Sequence, residues 1–158
     1  QMNRDFTYPS TGRTGNQLET IDHVMMFASP LAGTSDTLPR LADPADGNAN
    51  LDDRARAYLH TNCASCHRPG GGTPVDIDLR YDTVLANTGA CGAMPQTGML
   101  GIMNARIIAP GDAARSTLVA RTARRGDNVA MPPLGSTVVD AAGVTLLTDW
   151  VNSLTGCQ

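Results

Sequence analysis

Not one lysine occurs among the 158 residues, so every one of the 12 Lys-or-Arg positions is arginine. Of the 15 acidic residues, Glu19 alone is glutamate. Arginine and aspartate serve turns, caps and fixed bidentate contacts better than long solvated helix faces. Long surface helices are therefore not expected. Aromatic residues are only 4% of the chain, thin for a core of this size, so something else apolar is needed inside. No run of 18 apolar residues exists, and membrane insertion is not expected. The net charge of −3 and pI of about 5.4 argue against a nucleic-acid partner. No signal peptide is recognised, and the start at Gln1 is compatible with a processed chain.

What is present bounds the answer. A hydrophobic fraction of 41% can bury a core, and the length fits one domain, or one with an extra segment. With 16 Gly and 10 Pro, the expectation is a loop-rich domain of short helices without internal repeats. Residues 1–50 read as an N-terminal extension packed on a domain spanning 51–158. Within the extension, Asn16 caps a helix whose stripe is Leu18, Ile21, Val24, Met25 and Phe27. Ala28 to Asn50 reads as an irregular, proline-stiffened strap. Asn50 caps the next helix, which carries Asp52 and Asp53 in its first turn and runs to Cys66. A short helix is expected over Tyr81–Ala86 and an extended stretch over Ile102–Ile108. Asp112 starts a helix through Leu118 to Arg125, and Asp140 caps a last one bearing Val144, Leu147, Trp150, Val151 and Leu154.

Cys63-Ala64-Ser65-Cys66-His67 is a C-x-x-C-H sequence. Two thiols one helical turn apart reach the two vinyl groups of a haem and form thioethers, and the adjacent imidazole then faces the iron. Three rivals are weaker. A redox C-x-x-C belongs early in a βαβ unit, and no such alternation is seen. A structural zinc wants two more close ligands, while Cys91 and Cys157 stand far apart. A buried thiol pair has no use for His67. One covalent haem c is therefore expected, and its flat apolar macrocycle fills the aromatic deficit.

The second axial ligand decides what such a group does. Seven methionines are present, and Met131 stands out in Asn128-Val-Ala-Met-Pro-Pro-Leu-Gly135, a stiff loop before the last helix. It lies 64 residues beyond His67, enough chain to wrap a haem edge. Met94, Met99 and Met103 read as core gap-fillers. His23 and His60 read as surface or hydrogen-bonded histidines. Arg80 and Arg106, in apolar contexts, either hold the haem propionates or pair with a nearby Asp. Arg115, Arg121, Arg124 and Arg125 form the densest basic cluster. It reads either as a docking surface or as a solvated helix end complementing the dipole.

In these motifs the chain resembles the small class I c-type cytochrome domains. The closer resemblance runs through Arg106-Ile-Ile-Ala-Pro-Gly-Asp112, Ala130-Met-Pro-Pro-Leu-Gly135 and Leu147-Thr-Asp-Trp-Val151. It is similar to modules fused to secreted or periplasmic bacterial redox enzymes or carbohydrate-binding modules, including those of polysaccharide-oxidising systems. The resemblance implies a mainly α cytochrome c fold, short helices wrapped round one haem, with long loops and the N-terminal extension. It implies cofactor attachment at Cys63 and Cys66, with His67 and Met131 on the iron. It implies a proline carbonyl, Pro74 or Pro69, accepting from His67, and Tyr58 and Trp150 packing where two helices cross. It also implies a periplasmic or secreted location, where Cys91 and Cys157 would pair. The expected function is one-electron transfer with a redox partner protein, such as a dehydrogenase or polysaccharide-oxidising enzyme, and not enzymatic turnover. The alternative is a five-coordinate haem acting as peroxidase or gas sensor. A lysine docking collar, known in the mitochondrial carriers, cannot be carried over.

Overall fold

The computed structural model describes residues 2–158, which divide into one unit ending at Leu41 and another starting at Ala42. The division comes before the expected 50/51 because Arg54 grips the chain upstream of its helix. Its Nε and Nη2 donate to the Pro44 carbonyl at 3.0 and 2.9 Å.

The first unit holds a hairpin that the polar sequence did not announce. Strands β1 (Asp5–Thr7) and β2 (Thr14–Asn16) pair antiparallel, with Phe6 opposite Gly15 and the Thr7 and Thr14 hydroxyls 2.8 Å apart. Helix α1 (Gln17–His23) starts where expected: Asn16 Oδ1 accepts from the Leu18 N–H at 2.9 Å. It ends early. Met25 takes a φ of 57° and stands 88% exposed, and Val24 is exposed too, so the stripe does not continue. A seven-residue helix with no buried residue has too little packing to hold further turns. Buried Asn3 ties the unit together. Its amide donates to the Ser35 and Leu38 carbonyls at 2.9 and 3.2 Å, while its Oδ1 accepts from Asn16 at 3.1 Å.

The second unit is built on α2 (Leu51–Asn62), α3 (Thr117–Thr122) and α4 (Ala141–Ser153). Asn50 caps α2 through the Asp52 N–H at 2.9 Å, and Asp140 caps α4 through the Gly143 N–H at 3.0 Å. The two helices cross tightly, because any Cβ at Gly143 would collide with the Tyr58 ring. Next to the crossing, buried Trp150 donates its indole N–H to Asp52 at 2.7 Å. Leu59, Leu79, Leu85, Ile108, Leu147 and Val151 complete the core around it.

Three expected elements come out differently. The helix expected from Asp112 to Arg125 is interrupted at Ser116, which bridges to Arg106 while its hydroxyl accepts from the Ala109 N–H at 2.8 Å. A 3₁₀ turn (Ala113–Arg115) precedes the break and α3 follows it. The 102–108 stretch forms only single bridges, Arg106 to Ser116 and Ile108 to Cys91. Of the helix at 81–86 only a 3₁₀ turn at Leu85–Asn87 forms. A disulfide joins Cys91 to Cys157, with Cα atoms 5.7 Å apart. Met94, Met99 and Met103 are exposed, at 58%, 42% and 82%, and fill no core gap. No helix among the described residues is long and apolar enough to cross a membrane.

Candidate functional site

Helix α2 ends on the C-x-x-C-H sequence itself. Cys63 is its C-cap, donating to the Leu59 carbonyl at 2.9 Å, and the His67 N–H returns to the Cys63 carbonyl at 2.8 Å. This turn, and not the regular helix expected to Cys66, gathers the three motif residues. Two contacts hold it. The Leu79 N–H donates to the His67 carbonyl at 2.9 Å, and Gly71 presses so closely on the Cys66 carbonyl that a Cβ there would collide with it. Cys63 is half-buried and Cys66 exposed, and both are free thiols. Burial, helped by the neighbouring Cys66, pushes the Cys63 thiol up to about 11. Burial pushes the His67 imidazole below its ordinary value. Its Nδ1 is buried without a hydrogen-bond partner, so neither Pro74 nor Pro69 supplies the expected carbonyl.

Cys63 and His67 open onto a hollow of about 80 Å³. Its walls are mostly apolar, with Val75, Ile77, Leu79, Ile107 and Leu118. Met131 lines the same hollow. Its backbone is held from α3 and the turn beyond: its N–H donates to the Arg121 carbonyl at 3.0 Å, and its carbonyl accepts from Arg125 Nη1 at 3.1 Å. No protein-family model, curated protein or solved structure matches this chain.

The site therefore stands on its own geometry. Cys63, His67 and Met131 come together, while Cys66 lies one turn from the lining, facing solvent. Arg80 and Arg106 are not in the lining. Arg80 is half-exposed and paired with Asp78 at 2.6 Å, the alternative weighed for it, and Arg106 donates to the Ala105 carbonyl at 3.1 Å. His60 is a hydrogen-bonded histidine, its Nδ1 accepting from the Tyr81 N–H at 3.1 Å. Tyr58 is buried beside Asp140, and desolvation and that carboxylate hold its phenol well above the ordinary range.

One lining residue was misplaced by sequence reasoning. Arg121, grouped with the surface arginines, is 8% exposed and lines the hollow. The signal was there: it lies three residues after Leu118 and shares that helix face. The rest of the cluster is also engaged. Arg115 pairs with Asp112 at 2.8 Å, Arg124 with Asp127 at 3.5 Å, and Arg125 Nε donates to Ser136 at 2.9 Å. Arg121 therefore does not belong to the exposed basic cluster, and Arg115, Arg124 and Arg125 each also make a local contact. Chemically, the arrangement offers one thiol, an imidazole and a thioether around apolar walls, with a second thiol one turn away, a donor set for a large apolar metal-bearing group.

Proposed function

We propose that this chain is a monohaem c-type cytochrome domain carrying one electron to or from a secreted or periplasmic redox partner protein. One observation carries the reading: His67, on the C-x-x-C-H turn, and Met131, 64 residues later, line the same apolar hollow. The residues present fit the group. Cys63 and Cys66 are free to form two thioethers, and they sit one turn apart as that attachment requires. The His67 Nδ1 is buried without a protein partner, so that nitrogen is not tied up by another bond.

A haem iron held by imidazole and thioether takes up and releases one electron with little change in ligation, at a raised potential. This chain's residues do the rest. Cys63 and Cys66 would fix the group, His67 and Met131 would hold its iron, and Val75, Ile77, Leu79, Ile107 and Leu118 would keep water from it. An iron held by both His67 and Met131 would have no place for a substrate, which favours a carrier over a peroxidase or gas sensor. The partner would be a dehydrogenase or polysaccharide-oxidising enzyme, and the chain a module of a larger protein.

The test is spectroscopic, on the chain produced in a host that attaches haem c. The expected product is red and low-spin, and keeps its haem after denaturation. Replacing Cys63 and Cys66 together by Ser should let the haem wash out. Met131→Ala should keep the haem but turn the iron high-spin and lower its potential. A colourless protein ends the reading, and an unchanged Met131→Ala spectrum ends the ligand assignment.

A further inference from the structure

Arg121 is a buried cation without a carboxylate. Among the described residues it takes part in none of the ion pairs. Its guanidinium is instead spread over the backbone of two loops. Nη2 donates to the Thr97 carbonyl at 2.9 Å and the Thr97 hydroxyl at 3.0 Å, and Nη1 donates to the Val129 carbonyl at 3.0 Å. The first loop supplies Pro95, Gln96 and Thr97 to the hollow, and the second supplies Met131. The main chain of Arg121 adds a third hold, accepting from the Met131 N–H at 3.0 Å.

The first loop has little else to fix it, while the second is also held by Arg125, whose Nη1 donates to the Met131 carbonyl at 3.1 Å and whose Nε donates to the Ser136 hydroxyl at 2.9 Å. Met94, Met99 and Met103 stand exposed along the first, and Leu134 is 83% exposed in the second. Charge-assisted hydrogen bonds are about twice as strong as neutral ones and gain further from burial. A planar fork also fixes the separation and angle of its two acceptors, which a flexible point charge does not.

We infer that Arg121 is the positioning residue for Met131, its guanidinium latching the 95–98 and 129–131 loops together so that the thioether is held at the hollow. The inference rests on the haem reading and adds to it a determinant that touches neither iron nor thiol. Loosening the latch leaves attachment through Cys63, Cys66 and His67 untouched, because those residues belong to the α2 end. What changes is how readily an outside ligand displaces Met131.

The experiment titrates imidazole into the ferric, haem-loaded chain and follows the Soret band. Four proteins are compared: the parent, Arg121→Gln, Met131→Ala and the double variant. Arg121→Gln should keep covalent haem and bind imidazole about tenfold or more tightly than the parent, the worth of one lost charge-assisted hydrogen bond. In the Met131→Ala background the same replacement should change imidazole affinity less than about twofold, since no thioether remains to be positioned. A merely structural role would not show that dependence. If Arg121→Gln fails to accumulate, Arg121→Lys carries the same test, because it keeps the charge but loses the fork. Parental affinity in the single variant, or equal tightening in both backgrounds, overturns the inference while leaving the haem reading intact. A parent without haem overturns the haem reading and this inference with it, whereas a Met131→Ala protein that binds imidazole like the parent overturns the Met131 assignment and this inference while the haem stays.

Discussion

At the scale of single side chains, Asp78 gathers more hydrogen bonds than its position suggests. Its carboxylate accepts from Arg80 Nε at 2.9 Å and Nη2 at 2.6 Å, from the Arg80 N–H at 3.1 Å, and from the Thr83 hydroxyl at 2.9 Å. Arg80 and these donors hold the carboxyl far below the ordinary 3.8. A carboxylate depressed in the folded state adds stability that is fully present above its unfolded value. That contribution is lost as pH falls through the folded one. Asp78→Asn should therefore lower stability at pH 7 by about 1 kcal/mol, a figure kept small because the pair is near solvent. Going down from pH 4, the two melting temperatures should converge. Thermal melts across pH 2–7 that stay parallel would show that the carboxylate's charge is not the source.

At the scale of elements, the α2–α4 crossing depends on the missing side chain at Gly143. A Cβ there meets the Tyr58 ring, which is walled in by buried neighbours. Gly143→Val gains some helix propensity, at most ~1 kcal/mol, and loses more to overpacking, ~1–3 kcal/mol. Urea unfolding should show a net loss of about 1–2 kcal/mol. In a Tyr58→Ala background the same change should become neutral or stabilising, and a loss that persists there would place the clash elsewhere.

Elements also show how far the sequence could be read. The starts of α1, α2 and α4 were legible because Asn16, Asn50 and Asp140 each cap through their own side chain, a purely local bond. The break at Ser116 was not. It depends on a bridge to Arg106, a long-range competitor that helical periodicity does not register. The hairpin escaped for the opposite reason, being too short and polar to alternate. In the site, Cys63, His67 and Met131 were legible from motif chemistry. Arg121 was hidden because a run of arginines reads as a solvated face, and only tertiary placement shows which member turns inward.

At the scale of the second unit's covalent framework, the disulfide is the main constraint. It spans 66 residues, which the chain-entropy account values at about 4 kcal/mol. Replacing Cys91 and Cys157 by Ser should lower unfolding free energy by about that amount. A loss under about 1 kcal/mol would mean that α4 packing alone holds the C-terminus. The same bond has a topological consequence. Residues 91–157 form a closed ring that contains Met131, Arg121 and all of α4, whereas Cys63, Cys66 and His67 lie on the tail entering it. A protease nick at exposed Leu134 opens the ring but frees nothing, since both ends stay on one covalent molecule until a reductant arrives. A nick at exposed Pro69 or Gly70 has no such safeguard and severs the thiol-bearing helix from everything downstream. The two walls of one hollow thus differ in how they survive cutting, the methionine wall being looped shut and the histidine wall hanging on an open strand.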